Sequence, residues 1–218
     1  MLYRDYSVRK YERKDRDSIR RISCETAFLE YPRKFLFDDD EILADALTLY
    51  FTDYEPESCF VAAVDNKVIG YIIGSKDAAN MNRVFNSKII FSLLKKALRR
   101  GVFCKWGNLK FFLYVVRSAR KREFVMPDFS KEFPATLHIN IDNAYRGQRI
   151  GEKLIETYLT FLKEEKVQGV HFGTFSEGAK KFFLKMGFTV LFQSKRTYLK
   201  PYLGKEIDFY VFGRELLV

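Results

Sequence analysis

A glycine-containing loop joins a strand-like segment to a helical pattern in the second half of the chain. The loop has the sequence YRGQRIG, residues 145–151. A strand that turns into a helix directs several backbone N–H groups and the positive end of the helix dipole at one point, which favours an anion such as phosphate. Gly147 and Gly151 lack the glycine spacing of the dinucleotide-binding fingerprint and of the P-loop, which excludes both sites. The loop therefore predicts a phosphate site of another kind, to which Arg149 adds a charge if its φ is negative.

The strand before the loop, ATLHINID at 135–142, brings polar side chains to one face. Alternation places His138, Asn140 and Asp142 on this face and apolar residues on the other. With an ordinary pKa near 6.5, His138 is a candidate to accept a proton from an ammonium substrate, directly or through water; the alternative is a structural histidine in the core. For Asp142, at the start of the loop, a turn or capping role is favoured over catalysis. His171, in an apolar strand, is expected to be structural.

Periodicity predicts the element order β-α-α-β-β, a basic insert, and then β-α-β-α-β-β. The segments SCFVAAV and KVIGYIIG, joined by Asp65 and Asn66, predict a β-hairpin because both turn residues tolerate positive φ. Before them, FDDDEILADALTLYF predicts a helix that the acidic run 38–40 caps, although the same run could attract an amine. We expect one domain over residues 1–218, with the basic insert at 75–134.

The net charge of +10 is concentrated in the basic insert. Between residues 75 and 135 there are fourteen Lys or Arg and four acidic residues. The segment RVFNSKIIFSLLKKALRR predicts a helix, whereas GNLKFFLYVVRSARKR predicts a second helix or an apolar hairpin arm. An amphipathic helical pair packed on the sheet or on a second subunit is the favoured interpretation. The alternatives are a lid over the site, an anionic-substrate site, or a nucleic-acid surface in which aromatic residues interleave with the cations.

Composition excludes several classes of protein. The longest purely apolar run, FFLYVV, is far shorter than the roughly 20 residues of a bilayer-spanning helix, so no membrane partner is expected. Cys24, Cys59 and Cys104 are too few and too scattered for a disulfide framework or a metal site. The N-terminus lacks the apolar core of a signal peptide. These features indicate a cytoplasmic protein without a metal.

Two sequence blocks resemble the GCN5-related N-acetyltransferase (GNAT) family. In YRGQRIG, Arg146, Gln148 and Gly151 fit the family signature Arg/Gln-x-x-Gly-x-Gly/Ala, while Arg149 replaces its first glycine. In SEGAKKFFLKMGF, residues 176–188, five positions match the family pattern Asn-x-x-Ala-x-x-Phe-Tyr-x-Lys-x-Gly-Phe. The matching positions are Ala179, Phe182, Lys185, Gly187 and Phe188. Ser176 replaces the asparagine that contacts the cofactor, and Phe183 replaces the tyrosine that protonates the departing thiolate.

The resemblance implies an α/β (α+β) fold with a mixed, mostly antiparallel twisted sheet of six or seven strands flanked by helices. It also implies acetyl-CoA as cofactor, with the pantetheine arm along the strand edge at Ile139 and Ile141 and an N–H near Ile139 polarising the thioester carbonyl. The residues implied for the rest of the cofactor are Arg146, Gly147, Gln148, Arg149, Ile150, Gly151, Ser176 and Phe183. His138, Asn140 and Asp142 are the candidates for the catalytic step. Because Phe183 removes the usual acid, Tyr198, Tyr210 or water are the alternative proton donors to the thiolate.

The implied activity is transfer of an acetyl group from acetyl-CoA to a primary amine, by direct attack in a ternary complex. The partner is then a small-molecule or peptide amine, and a homodimer is compatible with the sequence. One alternative is a catalytically inactive acyl-CoA-binding or interaction module, favoured by Ser176 and Phe183. The other is a basic nucleic-acid-binding protein, which is less favoured. A narrower resemblance, through PATLHINI, GVHFG and FYVFGREL, is to acetyltransferase-like domains fused to O-GlcNAc hydrolases.

Overall fold

The computed structural model describes residues 5–27 and 36–216. The strands of the described chain are β1 (Ser7–Lys10), β2 (Cys59–Val64), β3 (Lys67–Ser75), β4 (Ala135–Ile141), β5 (Gly169–Thr174), β6 (Thr189–Arg196) and β7 (Ile207–Glu215). Its α-helices are α1 (Arg16–Thr26), α2 (Asp40–Tyr54), α3 (Ala78–Val84), α4 (Ile90–Arg99), α5 (Trp106–Arg120), α6 (Ile150–Glu164), α7 (Glu177–Lys185) and α8 (Lys200–Leu203). A π-helical turn, Phe85–Ile89, joins α3 to α4. The predicted order of elements is confirmed, and α8 is an addition that periodicity did not indicate.

The strands form one seven-stranded sheet in the order β1-β2-β3-β4-β5-β7-β6. Strands β4 and β5 pair in parallel, and every other neighbouring pair is antiparallel. The expected fold class, a mixed and mostly antiparallel sheet flanked by helices, is therefore confirmed. The last strand, β7, lies between β5 and β6. Beyond the single parallel pair, β4 with β5, the sheet therefore continues through β7 to β6.

The β2–β3 hairpin has the turn that its sequence predicts. Asp65 and Asn66 have φ values of 47° and 63°, and Val64 pairs with Lys67 across them. Two consecutive residues with positive φ match the right-handed twist of a two-residue hairpin. Strand β3 of this hairpin pairs in turn with β4, the strand that leads into the glycine-containing loop.

Both faces of the central strands are covered by helices. On one face, Leu154 and Tyr158 of α6 are buried in a cluster with residues of the sheet and of α7. On the other face, Ile19 and Ile22 of α1 pack against Tyr71 of β3. Burial of a large apolar side chain stabilises a fold by about 1.5–3 kcal/mol, so these contacts hold β3 and β4 rigidly from both sides.

The basic insert is mostly helical between residues 78 and 120 and docks on α2. Its second half is helix α5, so the alternative of a hairpin arm is wrong. Ion pairs join Lys96 to Asp45 at 2.6 Å and Arg100 to Asp39 at 2.7 Å. The Asp39 carboxylate also accepts the Ile42 N–H at 3.1 Å and caps α2. The acidic run therefore caps α2 and holds the insert, which explains it without an amine substrate.

Candidate functional site

Strands β4 and β5 separate soon after they begin. Their parallel pairing is confined to Ala135 with Val170 and Thr136 with His171. Beyond Thr136, in the described part of the chain, β4 continues to Ile141 without a β5 partner. The two strands thus form a wedge that opens towards the glycine-containing loop.

The opened edge of β4 has main-chain groups available for a ligand. The Asp142 N–H donates to the Ile69 carbonyl at 2.9 Å, so the even-numbered residues of β4 turn their main-chain groups towards β3. By the same alternation, the N–H and C=O groups of Leu137, Ile139 and Ile141 point towards the wedge. This register agrees with the predicted use of Ile139 and Ile141 as a cofactor-binding edge.

An apolar cleft of about 340 Å³ lies where the two strands separate. Its walls come from α2, from the start of the basic insert, and from β4 and β5. The lining residues are Ala46, Leu47, Tyr50, Phe51, Met81, Asn82, Phe85, Leu137, His138 and Gly173. Since Met81, Asn82 and Phe85 belong to the basic insert, the insert forms one wall of the cleft.

His138 lines this cleft and is held by a short polar chain. The Asn140 Nδ2 atom lies 2.8 Å from the Tyr71 hydroxyl and 3.0 Å from His138 Nε2. The amide has two N–H donors, so this geometry assigns the Nε2 lone pair as an acceptor and the ring proton to Nδ1. Burial lowers the pKa of His138 to about 4. The ring is therefore neutral at physiological pH and offers a donor, an arrangement that does not favour the predicted role of general base.

Asp142 follows the end of β4 and has a structural position. Its carboxylate accepts the Ala144 N–H at 3.1 Å and lies 3.4 Å from the Arg21 guanidinium on α1. These contacts fix the turn that leads into the loop and attach that turn to α1. They match the capping alternative and leave the catalytic role of Asp142 as a prediction without geometric support.

The loop ends in an open helix terminus. Gly147 has a φ of 80°, and Arg149, the residue before α6, has a φ of 58°. The predicted addition of a charge by Arg149 depended on a negative φ, and that φ is wrong. This arginine adopts the left-handed conformation in which the family has glycine. No side chain caps α6, and the Lys153 N–H is bonded to the Arg149 carbonyl at 3.2 Å. The N–H groups of Ile150, Gly151 and Glu152, which precede Lys153, are those that a helix start leaves without an intrahelical partner.

Charged side chains surround this helix terminus. The Glu152 carboxylate lies 2.7 Å from Arg149 Nε and 3.2 Å from Lys185 Nζ. Hydrogen bonds from Arg149 and Lys185 lower the pKa of Glu152. The arginine side chain is 75% exposed, so it can turn from Glu152 towards an anion at the helix start without leaving a buried partner.

Gly151 has a packing role in addition to its place in the signature. A Cβ at this position would lie 3.2 Å from Ile141 Cδ1 and 3.3 Å from Phe182 Cζ. A glycine thus lets the first turn of α6 approach both β4 and α7 closely. Replacement by a large acidic residue would disturb the core as well as the loop.

The second block that resembles the family, residues 176–188, lies mainly in the core. Ser176 caps α7 by accepting the Ala179 N–H at 3.2 Å. Phe183 is buried and lies 4.5 Å, between ring centroids, from Phe172 of β5. It is not among the residues that line the cleft, so the structure places the residue expected near the thiol in the aromatic core.

The two tyrosines considered as substitute acids are engaged elsewhere. The Tyr210 hydroxyl donates to Glu177, and this hydrogen bond raises its pKa to about 12. Burial raises the pKa of Tyr198 to about 12, and its ring packs on Phe111 and Phe124. Neither residue lines the cleft. Of the three predicted alternatives for the proton donor, only water does not depend on these two tyrosines.

A buried polar cluster behind the cleft was not indicated by the sequence pattern. The Tyr50 hydroxyl donates to Glu55 at 3.1 Å, and the same carboxylate accepts Ser75 Oγ at 2.6 Å and the Lys76 N–H at 2.7 Å. Ser58 Oγ adds a fourth hydrogen bond at 2.8 Å. This carboxylate ties the end of α2 to the end of β3 and orients Tyr50 in the cleft wall. Only the spacing of Tyr50 and Glu55 across the end of α2 is visible in the sequence.

Residues 5–27 and 36–216 offer no metal site. No group of three or more His, Cys, Asp or Glu side chains there has a geometry that could hold a metal ion. Cys24 and Cys59 are buried, whereas the Cys104 thiol is exposed. Within the same ranges, no helix has the length and apolarity to cross a bilayer.

The comparisons with known proteins agree with this geometry. The sequence model of the Acetyltransferase (GNAT) family matches residues 111–188, which include β4, the loop, α6, β5 and α7. The matched stretch covers about a third of the chain and is similar to the GNAT family. Among curated proteins there is no match to the sequence. This match and the fold support an acyltransferase that uses acetyl-CoA.

Solved structures share the GNAT fold over nearly the whole chain. SsHAT superposes with a TM-score of 0.71 at 21% identity, covering 98% of this chain and 100% of its own. The polyamine N-acetyltransferase of Drosophila melanogaster, which forms N-acetylagmatine, superposes with a TM-score of 0.58 at 16% identity, covering 97% of this chain and 100% of its own. The yncA protein of Salmonella typhimurium, solved with its cofactor acetyl-CoA, has a TM-score of 0.59 at 14% identity, covering 97% of this chain and 94% of its own. These identities establish the fold alone, and the narrower resemblance to domains fused to O-GlcNAc hydrolases is not confirmed.

Proposed function

We propose that this protein is an acetyl-CoA-dependent N-acetyltransferase of the GNAT type that moves the acetyl group to a primary amine by direct attack in a ternary complex. The observation that supports it best is the meeting of three features at the wedge. These are the open main-chain edge of β4, the uncapped start of α6, and a cleft that ends at His138. An extended thioester cofactor with a pyrophosphate needs each of them.

Different residues of the chain would bind different parts of the cofactor. The main-chain groups of Ile139 and Ile141 would hydrogen-bond an extended arm laid along β4. The N–H at Ile139 would stabilise negative charge on the reacting carbonyl oxygen. The N–H groups at the start of α6 would bind the pyrophosphate, with Arg149 turning from Glu152 to add its charge. Bound acetyl-CoA would supply the activated acetyl group.

The walls of the cleft favour an amine that bears an apolar or aromatic group. No carboxylate lines the cleft within the described residues. The nearby acids of α2 are already paired, Asp45 with Arg20 and Lys96, and Asp53 with Arg16. A polyamine would bring a second cation into apolar surroundings without a counter-charge, which is unfavourable. We therefore infer a small-molecule or peptide amine whose substituent packs on the apolar walls.

Proton transfer in this site is assigned mainly to water. His138 is neutral and its Nε2 accepts from Asn140, so the amine enters in its neutral form or loses its proton to solvent. The Nδ1–H of His138 remains as a donor. The thiol formed by transfer has an ordinary pKa near 8.5, by analogy with cysteine, so protonation of the thiolate by water is feasible.

Calorimetric titration with acetyl-CoA and with free coenzyme A tests the cofactor site. Arg149→Glu should weaken binding of both by about tenfold or more, because it places a negative charge at the helix start. The matched control is Lys163→Glu, the same charge reversal on α6 about 21 Å away along the helix. If Arg149→Glu and the wild type bound coenzyme A with equal affinity, the loop would not be part of the cofactor site.

Activity is then measured by thiol release from acetyl-CoA in the presence of amines. We expect phenethylamine and hexylamine to be acetylated faster than putrescine and spermidine. Micromolar binding of coenzyme A without turnover of any amine would favour the inactive binding module. Absence of coenzyme A binding would contradict the proposal as a whole. We also propose one domain over residues 1–218 and a cytoplasmic location, for which the reduced thiols of Cys59 and Cys104 are the supporting observation.

A further inference from the structure

The outer surface of the basic insert exposes large apolar side chains. On α4, Ile90, Leu94 and Leu98 recur at intervals of four residues, and Phe91, two turns before Leu98, lies on the same side. Phe91 is 61% and Leu98 64% exposed. The inward face of this helix, which includes Leu93 and Ala97, is a different set that packs on the protein, and it continues at Ile89 of the π-helical turn. Helix α4 thus has an apolar surface beyond the one that its own fold uses.

Helix α5 has a second exposed surface of the same character. Trp106, Lys110, Leu113 and Arg117 follow one another at intervals of three or four residues and share one face. Trp106 is 72% and Leu113 56% exposed. Cationic and large apolar side chains therefore alternate along α5 on the side that the fold leaves open.

The cations of the insert divide into two groups. The inner group, which includes Lys96, Arg100 and Lys105, pairs with acids of α2 and of the two residues before it, Asp38 and Asp39. The outer group has no ion pair with any described residue. Its members on α4, α5 and the π-helical turn are Lys88, Lys95, Arg99, Lys110, Arg117 and Arg120. The exposed apolar side chains of α4 and α5 therefore share their helices with uncompensated cations.

The acids of the insert do not balance this charge. Asp77 caps α3 through the Asn80 N–H, Glu123 accepts from the Thr197 N–H, and Asp128 accepts from the Ser130 N–H. A second copy of the chain would bring the same excess of positive charge to the surface, which opposes self-association there. Double-stranded nucleic acid would match the charge but would leave the aliphatic side chains of α4 in water.

We propose that the outer face of α4 and α5 binds the surface of an anionic phospholipid bilayer. Helices that combine a strong apolar face with Lys and Arg lie in the interface, where the apolar groups enter the headgroup and acyl boundary and the cations attract anionic lipids. The π-helical turn and α3, which continue from α4, line the cleft at Phe85, Met81 and Asn82. Binding would thus place the cleft beside the bilayer. This interaction is peripheral, and it departs from the expectation that no membrane partner exists.

The single tryptophan of the chain gives a direct measurement, because Trp106 lies on the proposed face. The full-length protein is mixed with vesicles of phosphatidylcholine alone or with one quarter phosphatidylglycerol, at low and at physiological salt. We expect flotation with the anionic vesicles, weaker binding at higher salt, and a shift of Trp106 emission to shorter wavelength. Acetyl-CoA is absent from the experiment, so its result is independent of the proposed enzymatic function.

Variants separate the apolar and the charged contributions. Leu94→Ser with Leu98→Ser should reduce vesicle binding on the order of tenfold, since two exposed leucines no longer enter the interface. The control is Leu184→Ser, an exposed leucine of α7 outside the insert, which should leave binding unchanged. Lys95→Gln with Arg99→Gln should reduce binding about 30-fold, at roughly fivefold for each charge, and Lys195→Gln is its control.

Four outcomes would overturn the proposal. The first is absence of flotation with anionic vesicles at low salt, and the second is equal flotation with neutral and anionic vesicles. The third is binding of duplex DNA, reduced by the charge variant, without any vesicle binding. The fourth is a dimer in sedimentation that Leu94→Ser with Leu98→Ser dissociates, again without vesicle binding, which would assign the face to a second copy.

Discussion

Protonation of His138 should couple the stability of this protein to pH. Its pKa is lowered by burial to about 4 in the folded chain, whereas an unfolded chain has the ordinary value near 6.5. Between these two values the unfolded state binds more protons, so stability rises with pH through this window. The stability due to the neutral ring is fully present above pH 6.5 and is lost as the pH falls towards 4.

The magnitude follows from the two pKa values. Between pH 7.5 and pH 5, protonation of this one residue in the unfolded state should cost the folded state about 2 kcal/mol. Partial exposure of the ring to solvent makes this an upper estimate. With a typical dependence of the free energy of unfolding on urea, 2 kcal/mol corresponds to a shift of about 1 M in the urea midpoint.

The assay compares urea unfolding of the wild type and His138→Gln at both pH values. Glutamine keeps an acceptor for Asn140 and removes the titrating group, so the variant should lose most of the histidine-dependent shift. His171 is the only other histidine, and its Nδ1 lies 2.6 Å from the Phe133 carbonyl. His171→Gln is therefore the matched control and should retain the His138 contribution. An unchanged pH dependence in His138→Gln would refute the buried, neutral state assigned to this ring.

Other substitutions test individual contacts. Gly74→Ala should destabilise the fold by about 3 kcal/mol or more in thermal unfolding, because the new Cβ would lie 2.0 Å from the Tyr158 hydroxyl; a melting temperature equal to that of the wild type would contradict this packing. Ser176→Ala should cost about 1 kcal/mol through loss of the α7 cap and leave coenzyme A affinity unchanged; a selective loss of affinity would instead show a contact with the cofactor. Arg149→Gly should relieve about 1 kcal/mol of backbone strain while weakening coenzyme A binding. Unchanged binding in calorimetry would show that the backbone alone holds the pyrophosphate.

Local chemistry in the sequence was sufficient for the order of elements and for the loop. Asp65 and Asn66 define their hairpin because residues with positive φ are needed there, and this requirement is local. The strand-loop-helix at 135–164 is defined by alternation, glycine and helical periodicity, which are also local. The two blocks that resemble the GNAT family, residues 145–151 and 176–188, both lie within the residues that the family model matches.

The roles of single side chains depended on neighbours far away in the sequence. Phe183 has the sequence position of a catalytic tyrosine, yet it lies in a ring cluster that includes Phe172 and Phe212. His138 has the side chain of a base, but its protonation is decided by burial and by the Asn140 amide, which Tyr71 of β3 holds in place. Contacts of this kind join residues from different strands and helices, so no local pattern contains them.

The sequence by itself determined that a strand, a glycine-containing turn and a helix follow one another, because backbone conformation there is dictated by neighbouring residues. It also determined that positive charge and apolar side chains share the basic insert. Only the tertiary structure decided which of those cations meet the acids of α2 and which face outwards beside Phe91 and Trp106. The physical reason is that ion pairing and burial depend on distance in space, and the fold sets that distance when it packs the insert against α2.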